Sequence, residues 1–325
     1  MKTGISLVAM ATELERQRNA KQDFLADTRK LSMTADAQHV AIGTDNVMGL
    51  TNHARRQLAD KLEIPFAFYQ RMEAKHPDIL QDTVNALFER EPQKTMVRCL
   101  DKKIRGIMSD GYRPLDNFDL ADATLPMLKD VGAIVESTAI TETKFYVKAV
   151  IPGLRRELPM PKGLVMGVGH NFFTRALTGA ISFSNSEVGA GGLMVNPGTK
   201  EDACTNLATY TSGFRAVHIG KRKGEDDGVS EFMSDGTKRL EDAAIWARLR
   251  DYVKAICEGK VMDKLVADML AAREDAIKGN PAELVEVFAK KHQFSEEEKG
   301  GLLRHLTNSG ESTRYGLQWA VTRLA

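Results

Sequence analysis

The chain has 325 residues, 42% hydrophobic and 27% charged, enough to bury a sizeable core and unlike a disordered chain or a disulfide scaffold. Its 45 basic and 44 acidic residues leave a net charge of +1, which excludes attachment to nucleic acid by bulk charge; binding of that kind needs a local patch. Three cysteines (Cys99, Cys204, Cys257) show no CxxC or zinc-finger spacing, and no apolar run approaches the ~18–20 residues that span a bilayer. The opening MKTGISLVAMATELERQ is too short in apolar length for a signal peptide. The expectation is a cytoplasmic protein with reduced thiols, no membrane partner, no metal and no cofactor.

In chain order, residues 1–90 read as a mainly helical segment. Leu7 to Phe24 carries charge on most turns, and His39–Gly43 suits a short strand. Thr51 can cap a helix whose stripe is Ala54, Leu58 and Leu62, and Pro65 forces Ile64 out of helical geometry and ends it. Further helices are expected from Phe66 and over Asp78–Arg90, the latter burying Leu80, Val84, Leu87 and Phe88. A helix-turn-helix over residues 50–72 is disfavoured, because its second helix would carry a single basic residue, Arg71, amid apolar surface.

Residues 91–225 read as a β-rich core. Thr95–Leu100 and Lys103–Met108 flank Asp101-Lys102 as a hairpin. Lys144–Ile151 alternates, with Phe145, Val147, Ala149 and Ile151 on one face and Lys144, Tyr146 and Lys148 on the other. Val131–Ile140, Gly163–Gly169, Leu177–Ser184 and Phe214–Ile219 are further strands, and Lys221–Gly236 suits a linker. Residues 226–325 return to helical periodicity. Ile245, Leu249, Val253 and Ile256 form a stripe ended by Gly259, a second helix runs from Val261, and Ser295 with Glu298 makes a capping box. The fold class is therefore α+β, a central mostly antiparallel sheet flanked by N-terminal and C-terminal helical segments, the latter forming one compact unit with the core.

Three constellations carry possible chemistry. Arg98, Lys102, Lys103 and Arg105 fall on the hairpin, with Tyr112 and Arg113 just beyond; together they suit phosphates and a stacked base. The same stretch also reads as a solvated strand face, an Asp110-Gly111 turn and a helix cap at Asp116 or Asn117. Asn185, Ser186, Glu187 and Gly189 lead a strand into glycines, which can present backbone amides to an anion or form a plain hairpin. Cys204 and Asn206, with His218 downstream, carry the residue types of a thiol nucleophile, a base and an orienting carboxamide. Arg215, Lys221, Arg222 and Lys223 add positive charge beside them.

Residues 103–117 (KIRGIMSDGYRPLDN), Asn185-Ser-Glu-Val-Gly189, Cys204-Thr-Asn206, His218 with Gly220, and the tail Tyr315–Ala325 occur in the order of motifs in a phage and plasmid family. The chain resembles that family, known as "domain of unknown function 932", from about residue 50 to its end. Gly106 stands where the family commonly has Ala, Leu207 where Gly is usual, and Gln318-Trp319 where the tail has Asn. The resemblance implies a mobile-element setting.

With the basic residues Arg98, Lys102, Lys103, Arg105, Arg113, Arg215, Lys221, Arg222 and Lys223 and the aromatic Tyr112, the expected function is nucleic-acid binding in mobile-element DNA metabolism or recombination. A single strand is expected, because no element reads as a major-groove helix. The alternatives are a small hydrolase or transferase using Cys204 and His218, and a protein-binding inhibitor of a host defence. A homo-oligomer is compatible with the sequence.

Overall fold

The structure is a computed structural model that describes residues 2–3, 7–159, 174–201, 207–209, 213–216 and 235–271, with short stretches between 280 and 303. In chain order the elements are β1 (Lys2–Thr3), α1 (Leu7–Ala20), β2 (Lys21–Asp27), a single 3-10 turn (Thr28–Lys30), β3 (Leu31–Met33), β4 (His39–Ile42) and β5 (Asn46–Leu50). Then come α2 (Asn52–Lys61), α3 (Phe66–Lys75), α4 (Pro77–Arg90), β6 (Lys94–Leu100), β7 (Lys103–Ser109) and α5 (Asn117–Asp130). The rest are β8 (Ile134–Ile140), β9 (Phe145–Pro159), β10 (Thr174–Asn185), β11 (Leu193–Glu201), β12 (Leu207–Thr209), β13 (Phe214–Ala216), α6 (Asp235–Cys257) and α7 (Lys260–Ala271).

The fold is α+β, and its strands divide between two sheets. The smaller sheet has six strands in the order β2-β6-β7-β5-β4-β3. Its pairs are antiparallel except β5 with β7, which run parallel because α2, α3, α4 and β6 lie between them in the chain. One face of this sheet packs on α2, α3 and α4. Val97, Cys99, Ile104 and Ile107 from the hairpin meet Leu58, Tyr69, Val84 and Phe88 there. Each large apolar side chain buried in this way contributes about 1.5–3 kcal/mol. Thr51 caps α2 as its sequence implies, its hydroxyl accepting from the Ala54 N–H at 3.3 Å.

The larger sheet has seven strands in the order β1-β8-β9-β10-β11, with β12 and β13 both paired to β11. All its pairs are antiparallel. Period-2 alternation sends Phe145, Val147, Ala149, Ile151, Ile181, Phe183, Leu193 and Val195 to an inner face. Met10 and Leu14 of α1, Leu120 and Leu128 of α5, and Leu249 and Val253 of α6 cover that face. The stripe expected in α6 is thus a core stripe, and Gly259, with φ +80°, makes the turn into α7.

The β6–β7 hairpin forms as expected around Asp101 and Lys102, both at positive φ, the backbone of a tight two-residue turn. The N-terminal region differs from its expected character. The helix from Leu7 stops at Ala20, and β2, β3 and β5 join the foreseen β4 in the smaller sheet. Strands from residues 1–90 therefore share one sheet with β6 and β7 of the middle segment. Among the described residues, no helix is long and apolar enough to cross a membrane. The strand expected at Gly163–Gly169, the capping box at Ser295 and the tail lie outside the described residues, the box in its Ser and Glu298.

Candidate functional site

The two sheets meet at a cluster of six charged side chains. Arg98 points from β6 away from the α2–α4 core and is only 4% exposed. Its guanidinium donates to Asp23 through Nε (3.1 Å) and Nη2 (3.0 Å), to Asp116 Oδ1 (2.7 Å), and to the Glu187 carbonyl (3.1 Å). Asp116 also accepts from Lys21. Arg105 reaches the Glu187 carboxylate, Oε2 at 3.1 Å. Three cations, Lys21, Arg98 and Arg105, are thus matched by three carboxylates, Asp23, Asp116 and Glu187.

The β10–β11 turn is the key that closes this junction. Asn185 donates to the Leu115 carbonyl (2.7 Å) and to Asn117 Oδ1 (2.9 Å). Glu187 Oε1 accepts the Asn117 N–H at 2.7 Å and so caps α5. The local candidate for that cap, Asp116, makes no capping bond because its carboxylate is turned to Arg98 and Lys21. Tyr112 donates its hydroxyl to the Ser186 carbonyl, and the Ser186 hydroxyl accepts from the Ala190 N–H at 2.9 Å. Past Ile104, β7 has no strand beside it opposite β6 among the described residues. Gln57 fills in: its Oε1 accepts the Ile107 N–H (2.9 Å), and its Nε2 donates to the Val188 carbonyl (2.8 Å). Gly189 holds φ +78°, a left-handed conformation that suits glycine, and Gly106 leaves room for this turn. A Cβ on Gly106 would come within 2.8 Å of Met108 Sδ and 3.1 Å of Val188 Cβ, so the turn packs directly on this glycine.

Burial alone would raise the Asp116 pKa. The nearby Arg98 charge and the Lys21 ammonium outweigh it and hold the carboxyl below its ordinary value, so the group is ionised. Burial drives the Tyr112 phenol well above its ordinary value, so it is a neutral hydrogen-bond donor. The space left among Leu14, Lys21, Asp23, Arg98, Arg105 and Glu187 is about 10 Å³, at most the room of one water.

The cationic track expected along the hairpin therefore does not form. Arg98 and Arg105 are neutralised inside the sheet junction, and Tyr112 is buried rather than available for stacking. Arg113 turns to α6, where it pairs with Glu241 and Asp242. Lys102 and Lys103 stay exposed at the hairpin turn. The turn's own Asp101 is held by Arg16. Asn185, Ser186 and Glu187 are brought together with 112–117 as a structural clamp, a meeting that the sequence pattern did not signal. Cys204, Asn206, His218, Lys221, Arg222 and Lys223 lie outside the described residues. Burial raises the thiols of Cys99 to about 12 and Cys257 to about 11, which makes them unreactive.

A different surface has the features the hairpin lacks. On the outer face of the larger sheet, Tyr146, Ser184, Met194 and Arg215 stand opposite one another across β9, β10, β11 and β13. Ser137, Lys148, Ser182 and Asn196 form the next row across β8 to β11. Tyr146 is 41% exposed and Arg215 is exposed. Among the described residues neither Lys148 nor Arg215 has a carboxylate partner. Lys200, further along β11, is engaged by Glu136. Strand spacing puts Tyr146 and Arg215 roughly 14 Å apart across the face. Lys144, Tyr146 and Lys148 were legible as one strand face. The missed residues, Ser182, Ser184 and Asn196, fall on it through strand register, which no local signal encodes.

Comparison with protein-family models, with curated proteins and with solved structures finds no match to this chain.

Proposed function

We propose that the protein binds single-stranded nucleic acid on the outer face of its larger sheet, serving the DNA metabolism or recombination of a phage or plasmid. The observation that carries this reading is the exposed Tyr146 ring on a four-strand surface where, among the described residues, two cations, Lys148 and Arg215, have no carboxylate partner. An open sheet with an aromatic platform can stack unpaired bases, and cations at its margins can hold the phosphates. Ser182, Ser184 and Asn196 supply short donors and acceptors between them. A duplex suits this surface less, because its bases offer no free face for stacking. The mobile-element setting rests on the motif resemblance.

Two phosphate contacts to a single strand give a slope of log affinity against log salt of roughly −1.4. Anisotropy titration of a labelled oligonucleotide at stepped salt tests the reading. Wild-type protein is expected to bind at low salt with that slope or a steeper one, and the Lys148→Glu/Arg215→Glu double variant to lose binding. A wild type that does not bind, or a double variant that binds equally well, ends the proposal.

A further inference from the structure

The inner face of the larger sheet carries two apolar clusters that do not merge. The main one includes Phe145, Phe183 and Ile256; the second is small, made of Leu158, Leu177 and Met262. Leu154 packs against both. The gap between them originates in the strands. Along β10 the inward positions pass from Phe183 and Ile181 to Gly179, and along β11 from Val195 to Pro197, so side-chain bulk gives out on this stretch of the sheet. A Cβ on Gly179 would come within 2.9 Å of Leu154 Cβ and 3.3 Å of Met262 Sδ, so α7 descends onto the sheet at this glycine.

Between β10, β11 and the corner where α6 turns into α7 lies a cavity of about 360 Å³ that opens to solvent. Packed interiors leave few voids larger than a water, whereas small-molecule sites start at roughly 300 Å³. Its apolar wall includes Leu154, Tyr252, Ile256, Val261 and Leu265. All of these but Ile256 are only half-buried, although they pack on the core clusters. Three charged side chains of α7, Lys260, Lys264 and Asp268, follow one another along the opening at single-turn spacing. Lys260 is taken by Glu258 at 2.6 Å, and the adjoining Asp263 by Arg156 at 2.7 Å. Lys264 and Asp268 are exposed, and among the described residues neither has an ion-pair partner, nor do they pair with each other.

We infer that this cavity binds a free α-amino acid with an apolar side chain. Such a molecule carries its ammonium and its carboxylate on one carbon. Lys264 and Asp268, one helical turn apart with Cβ atoms roughly 5–6 Å from each other, hold the two charges together. The apolar side chain enters among Ile256, Val261 and Leu265 and leaves water there. A simple carboxylate would meet Lys264 but face Asp268 as a like charge, and a simple amine would meet Asp268 but face Lys264. A peptide separates the two charges by its own length and satisfies one of them. The cavity lies on the inner side of the larger sheet, away from Tyr146 and Lys148, so the inference stands apart from oligonucleotide binding on the outer face.

Titration calorimetry on the full chain tests the site, with L-leucine and L-phenylalanine as probes and 3-phenylpropionate and 2-phenylethylamine as their one-charge counterparts. Wild-type protein is expected to bind one amino acid per chain, and each one-charge counterpart at least about tenfold more weakly, the loss of one charge-assisted bond. Lys264→Gln is expected to weaken phenylalanine and 3-phenylpropionate but not 2-phenylethylamine, and Asp268→Asn to do the reverse for the two counterparts. Leu265→Trp, which fills the cavity, is expected to abolish binding of all four. Neither amino acid binding to wild type, 3-phenylpropionate binding as tightly as phenylalanine, or affinities indifferent to both charge variants would overturn the inference. Should Leu265→Trp fold poorly, the two charge variants, both on exposed side chains, decide.

Discussion

The sheet junction and the outer face of the larger sheet both gather cations, yet they differ in every respect that matters for a ligand. At the junction, Lys21, Arg98 and Arg105 each find a carboxylate, and the remaining space holds at most one water. On the outer face, Lys148 and Arg215 have no such partner among the described residues and flank an exposed tyrosine. A run of basic residues along the chain reports neither situation. What separates them is whether tertiary contacts deliver acids to the same place, and the six junction groups come from four separate stretches of sequence.

The largest effect expected is on stability at the junction. Arg98→Met leaves buried Asp116 without its guanidinium and removes both bonds to Asp23, at a cost of about 3–5 kcal/mol in a denaturant melt. Oligonucleotide affinity of the folded variant is expected to stay at the wild-type level; a parallel loss would erase the distinction between the two regions. Asp116 adds a pH signature. Its folded pKa lies below its unfolded value, so its stabilisation is complete above an unfolded pKa of about 3.9 and is lost as pH falls through the folded value. Acid unfolding of wild type but not of Asp116→Asn should therefore steepen below about pH 4.

Smaller effects sharpen the contrast. Glu187→Gln sets an amide N–H against either Arg105 or the Asn117 N–H, and is expected to cost about 1–3 kcal/mol in the same melt. On the other face, Tyr146→Ala is expected to weaken oligonucleotide binding by about 1–3 kcal/mol in an anisotropy titration while leaving the melt nearly unchanged. Arg113→Ala, which breaks half-buried pairs with Glu241 and Asp242, should cost about 1–2 kcal/mol and leave affinity as it is.

Much of the fold was legible where local signals suffice. Alternation and a two-residue turn marked β6 and β7, a threonine cap and an i, i+4 stripe marked α2, and alternation sorted the two faces of β9. β2 was not legible: Lys21–Asp27 continues the charged run of α1 without a Gly or Pro, so nothing local stops the helix at Ala20. The junction was illegible for a related reason. Asp116 reads locally as a helix cap, but the cap is Glu187, seventy residues away, because Arg98 claims Asp116 first. Charge pairing and helix capping across that separation depend on tertiary register, which pattern reading along the chain does not contain.

On the proposed function, a single strand touches the protein at Tyr146. Ultraviolet cross-linking of a single-stranded oligonucleotide to the full chain, followed by mass mapping of the adducts, answers this directly. Adducts on the peptide carrying Tyr146, lost in Tyr146→Ala, are the expected result. Adducts confined to the Lys102–Lys103 turn, or their absence under conditions where the oligonucleotide is bound, would contradict it.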